Sequence, residues 1–374
     1  MNYELFRTFA PFITIIMMTA QLSSKLTSAN TLLTFLIVAL HSNMQQIYPM
    51  TLITDMAVPT FFCISAFLYF QNWQPTRAFY LKKLSSRFRS LFIPYILYNV
   101  LFYIYYIIKI YVLHIPVTKN IPTAPLDAVL CILGSVPDGP LWFIRALLFF
   151  VLLAPLFGLI IRAHRLAIIP MVIAGIVISR YFYYDTFPHW ITCFSVGCFF
   201  ALYQDEVTNM FYQYCPTWLR QLITNRLFLF GCLALCCLFF YQVHMQSLPY
   251  YLFRIAAPFW FLCFYIKSDP MPASLVRIAH PYTFYAFGIH VLFIWNINGI
   301  LTRFFPSNIY LEFVLQFLGT IILIYLSGLL LKRITGLWAL LTGFRNYASQ
   351  YGFKEIILLL SISLVSINLG KCLL

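Results

Sequence analysis

The stretch LLTFLIVALHSNMQQIYPMTLITDMAVPTFFCISAFLYF, residues 32–70, decides the fold class. It holds two long apolar runs joined by a short polar turn, and each run is about as long as a helix that spans a bilayer, roughly 17–25 residues. The whole chain continues in this way, because 62% of its 374 residues are hydrophobic and 9% are charged, whereas about 25% of the residues in a soluble domain are charged. The sequence therefore predicts an all-α, polytopic membrane protein.

The apolar runs predict a bundle of about ten transmembrane helices. Each run is nearly continuous rather than alternating, which excludes a transmembrane β-barrel. The predicted spans cover residues 29–46, 50–71, 91–113, 141–161, 166–180, 187–203, 226–243, 249–267, 281–298 and 311–331.

The basic residues indicate an orientation, because most of them fall in loops that follow the even-numbered predicted spans. Cytoplasmic loops collect positive charge, so these loops are predicted to face the cytoplasm. The same bias accounts for the net charge of +14, so membrane lipids are the expected partner and nucleic acid is not. The residues in these loops are Arg77, Lys82, Lys83, Arg87, Arg89, Arg162, Arg165, Arg220, Arg226, Lys267, Arg277, Lys332, Arg333 and Arg345.

Two further apolar stretches flank this core, at residues 8–22 and 355–370. The first is short for a span, and Glu4 and Arg7 before it make a poor start for a signal peptide. It is expected to form an extra span, an interfacial helix or a cleaved segment, and the last stretch poses the same question. One additional span at either end of the bundle therefore stays open.

His41 and Asp55 lie within the first pair of predicted spans, where an ionisable residue is energetically costly and usually functional. The turn between the spans centres near residue 48, so a tight helical hairpin brings both side chains to one level in the outer half of the bilayer. A carboxylate beside an imidazole is the arrangement that a general base needs. The alternative is that His41 only hydrogen-bonds across helices as a structural contact. Arg145 falls in the same outer half and is expected to line a shared polar cavity.

A basic segment on the opposite membrane face predicts an anion site. Lys83, Arg87 and Arg89 precede a predicted helix start near Pro94, where guanidinium groups and helix N-terminal amides together favour an anion. A phosphorylated ligand such as coenzyme A fits this chemistry. The alternative is ordinary positive-inside charge that attracts anionic lipids.

The cysteines and acidic residues give no indication of a metal site. Most of the ten cysteines lie in apolar runs, where cysteine behaves as a small hydrophobe. Cys232 and Cys236 share a helix face, but no partner ligands accompany them. We therefore expect no bound metal.

Six short motifs in order resemble the acyltransferase-3 family of integral membrane acyltransferases, which O-acylate sugars and related hydroxyl acceptors. The resemblance extends from about residue 29 to residue 345 on the predicted layout of spans. The motifs are IVALHSN at 37–43, AVPTFFCISAFLYF at 57–70, KKLSSRFRSLFIPY at 82–95, GPLWFIRALL at 139–148, HPYTFYAFGIHVLF at 280–293 and LLTGFR at 340–345.

The resemblance implies an enzyme that moves an acyl group, expected to be acetyl, from acyl-CoA to a hydroxyl of a glycan or lipid-linked sugar. Acyl-CoA would be a co-substrate rather than a permanently bound cofactor, and the setting would be the bacterial inner membrane. His41 would act as general base with Asp55 orienting it, while Arg145 would stabilise the oxyanion. An acyl-His41 intermediate is the alternative mechanism.

The resemblance also implies contacts for the two substrates. Lys83, Arg87 and Arg89 would hold the acyl-CoA phosphates. The substrate contacts would come from Ser65, Trp142 and His290.

One departure from the family pattern affects the predicted site. The family usually carries an Arg eleven residues before the first-span His, and this chain has Asn30 there. Lys25 or Arg7 is a candidate to supply the missing charge.

The resemblance divides the chain into three parts. Residues 1–28 form an N-terminal apolar extension, residues 29–345 an acyltransferase-3-like membrane domain, and residues 346–374 a C-terminal apolar extension. The competing function is a transporter or flippase of an anionic or sugar-linked lipid, which buried charges and a basic mouth also fit.

Overall fold

The computed structural model describes residues 20–43, 47, 50–115, 117, 121–134, 139–240, 247–304 and 308–343. Within these ranges every regular element is helical, and the apolar stretches at 8–19 and 355–370 lie outside them. The α-helices are α1 Ala20–His41, α2 Met50–Asp55, α3 Ala57–Phe70, α4 Arg77–Arg87, α5 Ile93–Ile107, α6 Pro125–Leu133, α7 Trp142–Ala163, α8 Ile168–Ser179, α9 Ile191–Leu202, α10 Gln204–Tyr214, α11 Thr217–Ile223, α12 Arg226–Phe240, α13 Leu248–Ser268, α14 Ala273–Ala279, α15 Thr283–Phe304, α16 Ile309–Leu331 and α17 Thr335–Thr342.

The described residues confirm a multi-pass helical membrane protein but not ten spans. Five helical segments are long and apolar enough to cross a bilayer, and α11 with α12, bent by 72°, would make a sixth. The five segments are Ile53–Phe70, Arg77–Val112, Gly139–Ala163, Ala273–Leu301 and Ile309–Leu331.

The other predicted spans are not among these segments, either because their helices are too short or because their sequences are less apolar. Helices α8 and α9 have 12 residues each, which is less than the roughly 17–25 that a span needs. Helices α1 and α13 have 22 and 21 residues, but buried polar residues such as Arg254 make their sequences less apolar than those of the five segments.

Helix α1 begins earlier than the predicted start at residue 29, because its polar first half finds partners inside the bundle. The Lys25 ammonium donates to the carbonyl of Ile266 at 2.6 Å, and the hydroxyls of Ser28 and Tyr265 lie 2.6 Å apart. The helix ends at His41, so this histidine occupies the last turn rather than the interior of a longer span.

The basic segment before Pro94 is helical, where the sequence predicted a loop. Helix α4 starts after Thr76, whose hydroxyl accepts from the Phe79 amide at 3.2 Å, and it continues through a π-helical turn at Phe88–Phe92 into α5. Pro94 cannot offer its nitrogen to the carbonyl of Ser90 as an α-helix requires, and the helix widens at this point. The predicted helix start near residue 91 is therefore wrong.

Helices α3 and α9 form the closest interface of the bundle. A β-carbon at Gly197 of α9 would lie 2.3 Å from the carbonyl oxygen of Cys63 in α3. Beside this contact, the Phe150 and Phe194 rings stack with centroids 4.2 Å apart. Small residues let membrane helices approach closely, so Gly197 sets the spacing of the two helices.

The short helix α17 folds back into the bundle and closes its predicted cytoplasmic side. Residues 338–342 are buried, and the Tyr98 hydroxyl donates to the carbonyl of Leu341 at 2.8 Å. The helix ends at Gly343 with φ of 69°, where a β-carbon would lie 2.3 Å from the carbonyl oxygen of Ser90. Only glycine adopts this conformation easily and leaves room for that carbonyl.

Candidate active site

A cavity of about 510 Å³ opens among α1, α3, α7, α15 and the junction of α4 with α5. Its volume lies within the usual range for small-molecule sites, about 300–1,000 Å³. The lining is mixed: its polar residues include Thr27, Asn30, Thr34, Ser65, Ser90 and Thr283, and its apolar residues include Phe61, Ile64, Leu68, Ile144, Leu147 and Val151.

Two arginines mark one end of the cavity. Arg87 is the last residue of α4 and Arg89 lies in the π-helical turn, and both line the cavity. Residues two apart on a straight α-helix point roughly 200° apart. The widened turn and the long side chains together explain why both arginines nevertheless reach the same cavity. π-Helical turns frequently occur at functional sites.

Lys83, the third predicted donor contact, is placed differently. Its ammonium lies over the rings of Tyr69 at 5.7 Å and Phe79 at 5.3 Å. Tyr69 lines the cavity, whereas Lys83 is not among the lining residues. The Tyr69 ring is thus in contact both with the Lys83 ammonium and with the cavity. The phosphate contact predicted for Lys83 stays a prediction.

Two polar residues of the cavity lining each have a side-chain atom without a hydrogen-bond partner. Asn30 Oδ1 and Ser90 Oγ are buried, and neither has a hydrogen-bond partner among the described residues. Asn30 stands where the resemblance places an Arg. The Lys25 ammonium donates to the Ile266 carbonyl and is not part of the cavity lining, so its role in supplying the missing charge stays a prediction. Arg7 lies outside the described residues. A buried polar atom without a partner is energetically unfavourable, so the cavity is suited to a ligand with polar groups.

The cavity-lining faces of α1 and α15 continue to a pair of histidines. Thr27, Thr34 and His41 are seven residues apart, which keeps them on one face of α1 and places His41 about 10 Å beyond Thr34. On α15, Thr283 and Phe287 line the cavity, and His290 follows on the same face. Both helix faces therefore extend from the cavity to the region where His41 and His290 lie.

His41 and His290 face each other there. Their ring centroids are 5.1 Å apart with the rings tilted by 48°. His290 is 1% exposed, whereas the side chain of His41 has a large accessible surface even though protein atoms surround it. The His41 side chain is therefore reachable from outside the bundle, whereas that of His290 is not.

Three phenylalanines of the cavity lining connect it to the histidine pair. Phe61, Phe143 and Phe287 line its end, with ring centroids 5.7 Å apart for the first two and 5.6 Å for the last two. Phe287 also lies 6.2 Å from the His290 ring. Sequence reasoning missed these residues, and the only signal for them is the position of Phe287 one turn before His290.

Asp55 is not brought into contact with His41. No hydrogen bond or ion pair joins these two side chains within the described part of the chain. The orienting role predicted for Asp55 stays a prediction, without a contact to carry it.

Arg145 contacts two loops rather than the histidine pair. Its guanidinium donates to the carbonyls of Gly134 and Asp185, the latter at 3.0 Å, and lies 3.7 Å from the Asp185 carboxylate. The neighbouring Ile144 and Leu147 line the cavity, but Arg145 does not. The predicted oxyanion role is untested, and the visible contacts of Arg145 tie the two loops to α7.

We expect Arg145→Met to lower the stability of the fold by about 2 kcal/mol, because a hydrogen bond to a charged group contributes about 1.5–3 kcal/mol. Thermal unfolding of the purified protein in nanodiscs would measure this. Arg180→Met is the matched control, since Arg180 is exposed at the end of α8. A variant of normal stability that transfers acyl groups a hundredfold more slowly would instead support the oxyanion role.

The other two predicted substrate contacts occupy different surroundings. Ser65 lines the cavity. Trp142 stacks on Trp190 with centroids 5.7 Å apart, and the buried Arg254 guanidinium lies 3.8 Å from the centroid of the Trp190 ring. Trp142 is therefore part of an aromatic stack at the start of α7, and its role toward a substrate stays a prediction.

Among the described residues, no group of three or more His, Cys, Asp and Glu side chains could hold a metal ion. The His41–His290 pair would give a metal ion two protein ligands, fewer than the three of a catalytic zinc site.

Comparison with known protein families shows which family this chain belongs to. A family model described as an acyltransferase domain, Acyl_transf_3, matches residues 28–333. This chain belongs to the acyltransferase-3 family. Every cavity-lining residue except Thr27 and Gly343 lies within the match. The chain matches no curated protein and no solved structure.

Family membership confirms the resemblance seen in the sequence and makes the chain a multi-pass membrane acyltransferase. The first five motifs lie within the matched acyltransferase-3 domain. The sixth, LLTGFR at 340–345, follows its end. The residues through Gly343 nevertheless belong to the same bundle, because α17 packs against α5 and α15.

Proposed function

We propose that this acyltransferase-3 protein moves an acetyl group from acetyl-CoA to a hydroxyl of a glycan or lipid-linked sugar. One observation carries the proposal: a single cavity has Arg87 and Arg89 at one end and leads along α1 and α15 toward His41 and His290. Such an arrangement suits a long donor that is anionic at one end and reactive at the other.

The donor would enter from the cytoplasm, the side to which the distribution of basic residues assigns Arg87 and Arg89. Guanidinium groups bind phosphate through paired, charge-assisted hydrogen bonds. The pantetheine arm would follow the wall that carries Asn30 and Ser90, whose unpartnered atoms suit its amide groups. The thioester would then pass the three phenylalanines to reach His41.

His41 would act as general base on the acceptor. Its free ring nitrogen takes the hydroxyl proton, the oxygen attacks the thioester carbonyl, and the C–S bond breaks as the thiolate leaves. The thiolate takes the proton back from the imidazolium, giving an O-acyl ester and free coenzyme A. In the alternative mechanism, the His41 nitrogen itself carries the acyl group before the acceptor attacks.

The acceptor would arrive from the opposite side of the membrane. His41 is the last residue of α1, and its accessible ring faces an opening beyond the phenylalanines. Donor and acceptor would thus reach His41 from opposite sides of the membrane. This fits an enzyme that uses a cytoplasmic donor to modify an extracytoplasmic glycan in the bacterial inner membrane.

The test of the function is thiol release from acetyl-CoA by purified protein in nanodiscs, with and without a crude glycan fraction. We expect release that depends on the glycan. A folded protein that releases no thiol from acetyl-CoA or succinyl-CoA would contradict the proposal. That result would favour the competing function, since a lipid flippase does not consume acyl-CoA.

We expect Arg87→Ala and Arg89→Ala each to raise the KM for acetyl-CoA by about tenfold, because each removes a charged hydrogen bond of about 1.5–3 kcal/mol. The kcat at saturating donor should change little. Steady-state kinetics of thiol release would measure both constants. Arg77→Ala, which removes an exposed charge at the start of α4, is the matched control. An equal rise in KM for this control would indicate a general loss of surface charge instead.

A further inference from the structure

We propose that His290 positions His41 by accepting a hydrogen bond from it, in the place that sequence reasoning gave to Asp55. The inference rests on the proposed function, in which His41 is the base. It comes from three observations: the fixed tautomer of His290, the distance between the two rings, and the rigid packing of α15.

The backbone determines which nitrogen of His290 carries the proton. His290 Nδ1 lies 3.0 Å from the carbonyl oxygens of Ala286 and Phe287. Carbonyl oxygens only accept hydrogen bonds, so Nδ1 must be the donor. In a neutral imidazole the other nitrogen then carries a lone pair, and Nε2 of His290 is a hydrogen-bond acceptor.

That acceptor is buried and unused. His290 is 1% exposed, and its Nε2 has no hydrogen-bond partner among the described residues. Leaving a buried acceptor unpaired is energetically unfavourable. A donor is therefore expected within reach of this atom, and the imidazole ring beside His290 is that of His41.

The distance between the rings fits such a bond. When two facing imidazole nitrogens share a hydrogen bond of about 2.9 Å, the ring centroids lie about 5 Å apart. The observed separation is 5.1 Å. The rings are tilted by 48°, and a turn of the accessible His41 ring completes the bond. Catalytic hydrogen bonds often tighten in this way only when substrate binds.

The packing of α15 keeps His290 in place while His41 adjusts. A β-carbon at Gly288 would lie 2.3 Å from the Tyr98 ring, and the Tyr98 hydroxyl is itself bonded to the carbonyl of Leu341. This close contact fixes α15 two residues before His290. A rigid acceptor beside a more accessible imidazole is the geometry that selects one tautomer of the base.

The consequence for the reaction is a defined proton arrangement. One N–H of His41 points to His290 Nε2, which leaves the lone pair of the other nitrogen directed at the opening. When that nitrogen takes the acceptor hydroxyl proton, the imidazolium keeps its bond to His290, now charge-assisted and stronger. His290 needs no negative charge for this, so no carboxylate has to be buried beside it.

The kinetic test compares His290→Phe with His290→Gln. Phenylalanine fills the space but removes the acceptor, and we expect kcat to fall about a hundredfold with the KM for acetyl-CoA unchanged. Glutamine retains an acceptor oxygen, so the kcat of His290→Gln is expected to be at least tenfold higher than that of His290→Phe. Equal loss in both variants, or a loss confined to KM, would overturn the proposal.

A second readout does not depend on acyl transfer. Diethyl pyrocarbonate acylates the lone pair of a neutral imidazole, and a hydrogen bond at the other nitrogen makes that lone pair more reactive. Mass spectrometry would follow modification of His41, with the exposed His114 as internal reference. We expect His41 to react severalfold more slowly in His290→Phe than in wild type or His290→Gln. An unchanged rate would overturn the positioning role, and the comparison stands even if wild-type protein releases no thiol from acetyl-CoA.

Discussion

His41→Ala is expected to reduce acyl transfer by about 10²–10⁴-fold, the usual contribution of a general base. The loss should appear in kcat, because the arginines that would hold the donor lie at the other end of the cavity. Little change in stability is expected, since His41 ends its helix and its side chain keeps a large accessible surface. Thiol release in nanodiscs, measured over a range of acetyl-CoA concentrations, separates the two constants.

The control for this experiment is His164→Ala. His164 is an exposed histidine that follows α7, and among the described residues its side chain bonds only to the Leu166 amide. It should transfer at the wild-type rate. A folded His41→Ala protein with wild-type transfer would rule out His41 as the base. Rescue of that variant by added imidazole would support the assignment further, because the missing group would be supplied from solution.

Gly197→Leu is expected to prevent accumulation of folded protein, and Gly197→Ala to lower stability by about 1–3 kcal/mol, the usual cost of overpacking. The reason is the 2.3 Å distance between a β-carbon at Gly197 and the carbonyl oxygen of Cys63. A side chain could turn away, but this oxygen belongs to the backbone of α3, so the two helices must separate. The Phe150–Phe194 stack beside the interface would separate with them.

Gly231 provides the matched control, because it is also helical and a β-carbon there meets nothing within 4 Å. Alanine favours a helix over glycine by about 1 kcal/mol, so Gly231→Ala should be neutral or slightly stabilising while Gly197→Ala destabilises. Thermal unfolding in nanodiscs, together with the yield of monodisperse protein, would show the difference. Equal effects at both positions would mean that the α3–α9 spacing tolerates a side chain.

Composition and the lengths of the apolar runs were enough to predict an all-helical membrane protein, because both depend on the bilayer rather than on tertiary contacts. The number of spans was not predictable in this way. The polar start of α1 is helical because Lys25 and Ser28 find partners on α13. Helices α8 and α9 follow 3₁₀ turns and have 12 residues each, and apolar periodicity alone does not reveal where such helices begin and end.

The candidate site was predictable residue by residue only in part. The sequence identified His41, Arg87 and Arg89 through their cost in a membrane or their charge, and all three belong to the arrangement that the structure reveals. It paired His41 with Asp55 because they are close in the chain. The ring that lies beside His41 in the structure is that of His290, which is 249 residues further along the chain. Which helices are neighbours depends on packing, and a single sequence does not contain that information in readable form.

The contact of Gly343 with the carbonyl of Ser90 has a consequence for biosynthesis. The cavity is lined by residues from Thr27 to Gly343, so its wall is complete only after residue 343 has left the ribosome. Until then the polar face of α1, including Asn30, has no finished pocket to face. We therefore expect nascent chains that stop before residue 343 to be inserted and helical but to lack this part of the cavity wall.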